Sequence, residues 1–506
     1  MVWSPFHVRA TWPRHGRALS IGKGGARTGS IAWASMALLL ALALGCDNRQ
    51  TTAEPDVDPP PPPVNPPPVE PPPETNNDPV IQVQPAITHQ TMLGWEVLPE
   101  LGQNECSAQA SAAVRGELLD RAVNEMGINR LRVTLVSGTE HNVDHFARFK
   151  AGQITFDEWK STWFIPVNDN GDPRVINAAG FKFSHLDQQI DDAVLPLRQR
   201  LAARGERLYF NLAYTDFFNN TPFEQRDDPE EYAELILAAF QHIREKYSLV
   251  PDALEILIEP DNAAWNADQV AAAIAAAGDR LAAAGFRPAV IAPSTASTAE
   301  ALTYIDRAMA NPRARAYVTD FSYHRYSAAS TANIQAIAAR ALQQGVRTAM
   351  LEYFPGTYRE LHEDLTVGGV SAWQQFGLAF CGEDAESEGV LFVFDDRSRV
   401  QLTRGARYLQ QYFRYVRLDA VRVGATTTES ALEPVAFRNA NGKYTVIVKA
   451  GRGGPFNMAG LPDGQYGITY TTPNVYNASL PDAAVSNGRS FSVVIPEASV
   501  VTIFAR

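Results

Sequence analysis

The chain has 506 residues, of which 45% are hydrophobic and 20% are charged, as is usual for a globular protein with room for more than one core. Its formal net charge is -12, and because residues 1–45 carry five basic side chains and no acidic one, the rest of the chain is more acidic still. An acidic body argues against nucleic acid or an anionic membrane surface as the main ligand, and it is compatible with a neutral substrate such as a sugar.

The N-terminal segment is predicted to be an export signal and not a part of the fold. Basic residues precede an apolar run over residues 31–45, which is too short and too rich in small residues for a membrane span. The run ends in Leu42–Cys46 (LALGC), which resembles the lipobox of bacterial lipoproteins. The resemblance implies a signal peptide over 1–45, lipidation of Cys46 and anchoring to a bacterial membrane, in the periplasm or at the cell surface. The alternative is a plain signal peptide with an incidental cysteine.

Residues 46–78 are predicted to form a linker. They contain three proline runs among acidic and polar residues: Pro59–Pro63, Pro66–Pro68 and Pro71–Pro73. Such a segment lacks the apolar side chains for a core and favours an extended polyproline conformation. We expect a stiff spacer that holds the folded body away from the membrane.

From residue 79 to 414, short apolar runs alternate with helical patterns, which is typical of a parallel α/β fold. The predicted strands are Met92–Val97, Arg130–Leu135, Leu208–Ala213, Leu254–Ile258, Ala289–Ala292, Asp320–His324, Arg347–Leu351 and Gly389–Phe394. Helices are predicted over about 110–126, 185–204, 229–246, 267–284, 298–309, 331–344, 365–380 and 402–414. Eight such pairs predict a (β/α)₈ TIM barrel. A doubly wound open sheet is the alternative, but no glycine-rich phosphate loop follows the first strand.

Residues 138–184 make a connection far longer than usual and are interpreted as a functional insertion at the barrel mouth. They contain the turn-rich stretch Asn168–Asp172. This stretch does not match an EF-hand, because no Glu stands at the bidentate position, so turn chemistry explains it better. No Cys and His cluster has zinc-site spacing, and we expect neither a metal nor an organic cofactor.

Two further cysteines, Cys106 and Cys381, could form a disulfide in an exported chain. Cys106 is predicted in a loop after the first barrel strand, however, and Cys381 at the end of the seventh helix. These are opposite ends of a barrel, which argues against the pairing.

After residue 415 the helical pattern stops. Short alternating runs between Asn-Gly, Asp-Gly and proline-rich turns are predicted as strands: Val435–Arg438, Tyr444–Lys449, Tyr466–Tyr470, Ser490–Ile495 and Ser499–Phe504. They indicate an all-β sandwich domain over 415–506. Residues 79–90, which include a predicted strand at Val80–Gln84, are expected to join it.

Two glutamates are candidates for catalysis because each ends a predicted barrel strand. Glu259 follows the apolar run of the fourth strand and precedes Pro260, which stops that strand, and Glu352 follows the seventh. The carboxyl ends of barrel strands share one face of the barrel, where catalytic residues lie. Two carboxyl groups about 5–5.5 Å apart suit retaining glycoside hydrolysis, in which one is the nucleophile and the other is the acid and then the base.

Three more residues fit around this pair. Arg132 lies on the second strand, nearer the mouth than Arg130 on the same face, and would keep a nearby carboxylate ionised. His324 and Tyr326 share a face of the sixth strand and would bind sugar hydroxyls or the nucleophile. A satisfied core histidine is the alternative for His324.

In the order of these motifs the chain resembles the retaining (β/α)₈-barrel glycoside hydrolases, and within them glycoside hydrolase family 30. The resemblance rests on Gln90–Trp95 (QTMLGW), Glu259-Pro260, the strand with His324 and Tyr326, Leu351–Tyr353 (LEY) and Tyr412–Arg417 (YFRYVR) at the entry to the β-domain. It implies that Glu259 is the acid/base and Glu352 the nucleophile. It also implies that Arg132 and Tyr326 support the nucleophile and that His324 is a subsite residue.

One position departs from the pattern of that clan. An Asn usually precedes the acid/base Glu and binds the sugar 2-hydroxyl, but Ile258 stands there and offers no hydrogen bond. Either Asn211 or Asn262 takes this role, or the substrate differs at C2, or the site binds sugar without cleaving it.

Sugar sites also need flat apolar surfaces and hydroxyl partners. Candidates near predicted strand ends are Trp95, Tyr214 and Tyr353 for the first, and Asn211, Asn262 and Asp395 for the second. The sequence therefore predicts a retaining glycoside hydrolase for a β-linked glycan or glycoside. A membrane-anchored carbohydrate-binding lipoprotein with a degenerate hydrolase barrel is the alternative.

Overall fold

The computed structural model describes residues 77–104, 106–217, 221–382, 386, 389–395, 397 and 399–506. The predicted signal peptide, Cys46 and the proline-rich linker as far as residue 76 lie outside these residues. Residues Asp78–Arg506 form one packed unit. No helix among the described residues is both long and apolar enough to cross a membrane.

Strands and helices alternate along most of the described chain, and strands alone follow. The strands are β1 (Val80–Thr91), β2 (Gly94–Leu101), β3 (Arg130–Val136), β4 (Tyr209–Thr215), β5 (Ala253–Glu255), β6 (Ala289–Ser297), β7 (Val318–Ser327), β8 (Arg347–Glu352), β9 (Val370–Cys381), β10 (Val390–Phe394), β11 (Val400–Leu402), β12 (Val421–Thr427), β13 (Leu432–Arg438), β14 (Tyr444–Ala450), β15 (Gly454–Ala459), β16 (Gly464–Thr471), β17 (Ala478–Val485), β18 (Phe491–Ile495) and β19 (Ser499–Ala505). The helices are α1 (Ala108–Arg121), α2 (His145–Lys150), α3 (Phe156–Lys160), α4 (Ser184–Gln189), α5 (Leu195–Ala202), α6 (Pro229–Tyr247), α7 (Ala267–Ala283), α8 (Thr298–Ala310), α9 (Pro312–Arg315), α10 (Thr331–Gln344), α11 (Tyr358–Glu363) and α12 (Arg404–Phe413).

The sequence explains where the longer helices begin and end. The side chain of Asp228 accepts a hydrogen bond from the N–H of Glu230, and Pro229 occupies the first position of α6. Gly345 ends α10 in the left-handed conformation, which a residue without a side chain adopts at little cost. These boundaries agree with the predicted helices over 229–246 and 331–344.

Eight parallel strands, β2 to β9, close into a barrel in chain order. Strand β9 closes it, because Trp373 lies opposite Trp95 of β2 on one side and Met350 of β8 on the other. Helices lie between the strands, so the predicted (β/α)₈ barrel is confirmed. Strand β10 pairs with the end of β9, and β11 pairs with β10, so these two strands extend the sheet beyond the barrel.

The eighth barrel strand is not the one that the sequence predicts. The prediction of a helix over 365–380 is wrong, since Val370–Cys381 forms β9, and the predicted eighth strand is β10, outside the closed barrel. Every residue of β9 from Val370 to Ala379 is buried. A strand that is covered on both faces shows no alternation, so its period does not distinguish it from a buried helix.

Cys106 and Cys381 form a disulfide bond, and their Cα atoms are 6.2 Å apart. The bond is possible because Val370–Cys381 is a strand and not the predicted helix. Cys381 ends strand β9, and Cys106 lies in the loop after the adjacent strand β2. The expectation that the two cysteines lie at opposite ends of the barrel is therefore wrong. The bond joins residues 275 positions apart and so restricts the unfolded chain strongly.

The second sheet has nine strands in the order β17, β16, β19, β14, β13, β12, β1, β15, β18. Strand β1, which precedes the barrel in sequence, takes part in it: Ile81 lies opposite Thr427 of β12 and Met458 of β15. The sheet surrounds its own apolar core, which includes Ile81 and Ile503. The protein therefore combines the barrel with a C-terminal all-β domain, as predicted.

The long connection between β3 and α4 is built around aromatic rings. The rings of Phe149 and Trp159 stack with centroids 5.2 Å apart, and Trp159 meets Trp163 edge to face at 5.0 Å. Both tryptophans are buried. The insertion therefore has a small apolar core of its own, which fixes it beside the end of β3.

Candidate active site

Glu259 lies beyond the end of the fourth barrel strand, β5, where the backbone is irregular. The N–H of Ile258 donates to the carbonyl of Tyr214 on β4, and the N–H of Glu259 donates to the carbonyl of Ser294 on β6. Glu259 has a φ of 51°, a left-handed conformation that costs a non-glycine residue about 1–3 kcal/mol. Both neighbouring strands thus hold this carboxyl group in a strained position, which is a feature that clusters at functional sites.

Two polar side chains contact the Glu259 carboxyl group. The Nδ1 atom of His324 lies 2.9 Å from one oxygen, and the amide of Asn262 donates to the other at 2.8 Å. Burial raises the pKa of Glu259 to about 7, against the opposing effects of the Asn262 hydrogen bond and the charge of Arg132. A large fraction of Glu259 therefore carries a proton at neutral pH, which suits a proton donor.

Glu352 ends the seventh barrel strand, β8, and unlike Glu259 it is bound by a cationic side chain. Arg132 on β3 forms a buried ion pair with it and also donates to the carbonyl of Leu351 at 2.9 Å. The hydroxyl of Tyr326 donates to the other carboxylate oxygen at 2.9 Å. Burial lowers the pKa of Arg132, but the charges of Glu352 and Glu255 raise it above its ordinary value, so the guanidinium stays charged. Two donors, one of them cationic, thus stabilise a negative charge on Glu352.

The two carboxyl groups lie close together. One oxygen of Glu259, one oxygen of Glu352 and a ring nitrogen of His324 all lie within 4.8 Å of one another. Carboxyl groups about 5–5.5 Å apart suit a double displacement, whereas inverting enzymes separate them by about 6.5–9.5 Å. These three side chains are poor metal ligands as a set, because Glu352 already binds the Arg132 guanidinium, which repels a second cation.

His324 and Tyr326 both reach this space from β7. Burial lowers the pKa of His324, so the ring is neutral at pH 7. Burial, followed by the charge of Glu352, raises the pKa of Tyr326 well above its ordinary value, so its hydroxyl remains a donor. Tyr326 is 39% exposed and His324 is fully buried. Tyr326 therefore lies at the solvent edge of the site, with His324 beneath it.

Several solved structures with the same arrangement of elements are named as enzymes that act on glycans. The catalytic domain of GH30 xylanase C from Talaromyces cellulolyticus aligns with a TM-score of 0.62 and 17% identity, over 84% of this chain and 100% of that one. A GH30 endoxylanase from Clostridium papyrosolvens C71 gives 0.59 and 16%, over 84% and 99%. The endo-beta1,6-glucanase BT3312 gives 0.58 and 14%, over 84% and 94%. The chain has the fold of the family 30 glycoside hydrolases. No protein-family model matches the sequence, and no curated protein matches it.

Within this family 30 fold, a layer of paired charges lies next to the site in the barrel. Arg130 pairs with Glu96, and Nη1 of Arg132 lies 3.6 Å from Glu255. All four side chains are buried. Sequence reasoning missed Glu96 and Glu255. An acidic residue within an apolar strand could have indicated them. A carboxylate remains in a barrel interior only when it is paired with a cationic group.

The prediction that Trp95 is a stacking surface for sugar is wrong. Trp95 lies at the start of β2, so it is at the end of the barrel opposite to the mouth. Its ring is buried and stacks on Phe413 with centroids 4.5 Å apart, and its Nε1 donates to the carbonyl of Val416 at 2.7 Å. Trp95 therefore anchors the barrel to the segment that enters the β-domain.

Two predicted residues on β4, Asn211 and Tyr214, are buried away from the substrate position. The hydroxyl of Tyr214 donates to Gln225 at 2.6 Å, on the helix side of the strand. Asn211 faces the barrel interior and donates to Glu255 at 2.9 Å and to Glu96 at 3.3 Å. Neither side chain is available to a sugar, so both predictions of substrate binding are wrong. Their positions near a strand end could be predicted, but not their depth in the barrel or the face of the strand that they occupy.

The other three predicted substrate-binding residues are accessible. Asn262 is exposed beside Glu259, and Tyr353 is half-buried with its ring 5.8 Å from that of Tyr326. Asp395 is also half-buried, but its carboxylate pairs with Arg399 and closes a local turn. The geometry therefore leaves Asn262 and Tyr353 as candidates for sugar contact, and Asp395 is engaged within the protein.

Proposed function

We propose that this protein is a retaining glycoside hydrolase that acts on a β-linked glycan or glycoside, with Glu352 as the nucleophile and Glu259 as the acid and then the base. The observation that carries the proposal is the pair of adjacent carboxyl groups in opposite surroundings, one buried beside neutral groups and one bound by Arg132 and Tyr326. The family 30 fold, which xylanases and a β-1,6-glucanase share, supports a β-linked substrate.

In the first half-reaction, the ionised Glu352 attacks the anomeric carbon while the glycosidic bond breaks, and the proton of Glu259 passes to the departing oxygen. The products are a glycosyl ester on Glu352 and a free alcohol. Arg132 and Tyr326 each bind one oxygen of Glu352 and so fix the direction of attack. Neutral His324 contacts Glu259 without adding a positive charge that would drive off its proton.

In the second half-reaction, the roles of the carboxyl groups change. Glu259, now ionised, takes a proton from a water molecule, which attacks the same carbon and breaks the ester to Glu352. The sugar leaves with the configuration it had in the substrate, and both carboxyl groups return to their first states.

A glycan-library hydrolysis screen, followed by NMR of the first product formed, tests this proposal. We expect cleavage of a β-linked member and a β-configured initial product, because two displacements at one carbon restore its configuration. An α-configured initial product would contradict the double displacement.

A second candidate function is carbohydrate binding without turnover, and Ile258 is the residue that favours it. Asn211 is bonded to Glu255 and Glu96 and does not replace the missing amide, so Asn262 is the residue that we propose for the 2-hydroxyl. If the protein only binds, no member of the library is cleaved, yet an oligosaccharide raises the melting temperature by mass action.

We expect kcat/KM on unactivated glycans to fall as the pH rises through about 7, because only the protonated Glu259 donates a proton and its pKa is about 7. Asn262→Ala removes a donor that favours the carboxylate, so the pKa of Glu259 rises and the fall moves to higher pH. Profiles of kcat/KM against pH measure both. Asn124→Ala, which removes an exposed amide bonded to Arg204, is the matched control and should leave the profile in place. An unmoved profile in Asn262→Ala would contradict the assignment.

We also propose that the chain is an exported bacterial lipoprotein with a signal peptide over 1–45, lipid on Cys46, a spacer over 46–78, a barrel over 79–414, of which 79–90 joins the β-domain, and a β-domain over 415–506. The disulfide between Cys106 and Cys381 supports export, because such bonds persist in oxidising compartments. We expect Cys46→Ser to move the protein from the membrane fraction to the soluble fraction of expressing cells. Unchanged membrane attachment would contradict lipidation.

A further inference from the structure

A second group of carboxyl groups is buried where the insertion meets helix α6. Glu140 follows β3, Asp169 lies in the turn-rich stretch, and Glu231 and Glu234 lie one turn apart on α6. One oxygen each of Glu140, Asp169 and Glu231 lie within 4.8 Å of one another. Glu140, Glu231 and Glu234 are 1%, 5% and 1% exposed. We refer to these four residues as the insertion acid cluster.

Several oxygens of the insertion acid cluster accept no hydrogen bond from an N–H or hydroxyl group of the described residues. They are Oδ1 of Asp169, Oε2 of Glu231 and both carboxyl oxygens of Glu234. Glu234 lies one turn after Glu231 on α6, and burial, with the charges of Asp169, Glu231 and Glu140, raises its pKa to about 8. Unpartnered buried carboxylates are costly and call for an explanation such as a bound ion.

The positive charge near the insertion acid cluster is smaller than the negative charge of its ionised carboxyl groups. Nη2 of Arg280 lies 3.6 Å from Glu234, while Nη1 donates to the backbone carbonyls of Pro173 and Glu230. Burial also raises the pKa of Glu140 to about 7, against hydrogen bonds that lower it. When all four carboxyl groups are ionised, one guanidinium therefore faces four negative charges.

We propose that the insertion acid cluster binds one Ca²⁺ ion through Oδ1 of Asp169, Oε2 of Glu231 and Oε2 of Glu234, the Glu234 oxygen that does not pair with Arg280, with Glu140 beside them. Ca²⁺ binds oxygen ligands at about 2.3–2.6 Å, so two oxygens on one ion lie at most about 5 Å apart, and one oxygen each of Glu140, Asp169 and Glu231 meets this limit. Mg²⁺ requires a tighter octahedral set at about 2.0–2.1 Å. A set made of carboxylates selects hard cations over zinc or copper.

This site differs from the sequence expectation of no metal because its ligands come from three separate segments, and no contiguous motif marks them. Within the turn-rich stretch, the N–H of Asn170 donates to Asn168 and the N–H of Asp172 donates to Asn170, as the predicted turns require. The side-chain amide of Asn170 donates to Oδ2 of Asp169 at 2.9 Å, which leaves Oδ1 of Asp169 for a ligand. The N–H of Asp169 donates to Glu140 at 3.0 Å. A bound ion would therefore fasten the insertion to α6 and to the end of β3, whether or not the barrel hydrolyses sugars.

Calorimetric titration of the EDTA-treated protein with CaCl₂ tests the site. We expect one Ca²⁺ per chain, and a melting temperature about 3 °C higher at 100 times the dissociation constant. Glu234→Gln and Asp169→Asn keep the side-chain size and are each expected to weaken Ca²⁺ binding at least ~10-fold, because each removes a charged ligand. Asp172→Asn alters a half-exposed acid of the same loop, paired with Arg174, and should bind Ca²⁺ like the wild type.

Three outcomes would overturn the proposal: no Ca²⁺ binding by the wild type, wild-type affinity in Glu234→Gln, or tighter binding of MgCl₂ than of CaCl₂. A folding defect is separable from a binding defect by melting temperatures in EDTA. There Glu234→Gln replaces a buried carboxyl group by a neutral group of the same size, so we expect it to melt no lower than the wild type.

Discussion

Glu352→Gln is expected to lower kcat by about 10⁴-fold or more while the affinity for an oligosaccharide survives. The amide does not form a glycosyl ester, but it has the size of the carboxylate, and its one oxygen still accepts a hydrogen bond from Arg132 or from Tyr326, which bind the two oxygens of Glu352 in the wild type. Steady-state hydrolysis of the best substrate from the library gives kcat, and calorimetry gives the affinity. Unchanged turnover would remove Glu352 from the role of nucleophile.

Two controls separate a loss of chemistry from a loss of structure. Glu352→Asp keeps the charge and hence the partner of Arg132, but it withdraws the oxygens by one methylene, so we expect a loss of about 10²-fold in kcat. Glu300→Gln makes the same chemical change in the exposed first turn of α8 and should leave kcat within about twofold. Glu352→Gln is also expected to lower the melting temperature, since the buried guanidinium loses its charged partner. Glu352→Asp should lower the melting temperature less.

The places of Glu259, Glu352 and Arg132 could be predicted because they depend on local features of the chain. A buried strand that ends in Glu and Pro, and another that ends in Glu, bring both acids to one face of any closed parallel sheet. The alternation of side chains along a strand then places Arg132 on the inner face. No long-range information is needed for these predictions.

Other predictions failed because the sequence carries no measure of depth. Trp95, Asn211 and Tyr214 all lie on barrel strands, yet Trp95 is at the end opposite to the mouth, Asn211 is beneath the site and Tyr214 faces the helices. Strand β9 was missed because burial on both faces removes the period that identifies strands. The insertion acid cluster, with members such as Glu140 and Glu234, exists only after distant segments pack together, so its spacing in the sequence is uninformative.

Glu259→Gln is expected to lower kcat/KM on unactivated glycans by about 10³-fold and to leave kcat/KM for an aryl glycoside with a good leaving group within about tenfold. The difference arises because only a poor leaving group needs a proton in the first half-reaction. In the second half-reaction the variant lacks a base for water, so kcat for the aryl glycoside falls more than kcat/KM. Azide, an anion that needs no base, should restore part of that kcat.

The pH profile distinguishes a proton donor from a residue that merely fills space. Burial raises the pKa of Glu259 to about 7, so wild-type kcat/KM on glycans falls above that pH, and the residual activity of Glu259→Gln should show no fall there. Asn262 donates to the Glu259 carboxyl and can also donate to the glutamine oxygen, so the local hydrogen bond is retained in this variant. Equal losses on glycans and aryl glycosides, with the fall near pH 7 still present, would mean that the proton reaches the leaving oxygen from another group.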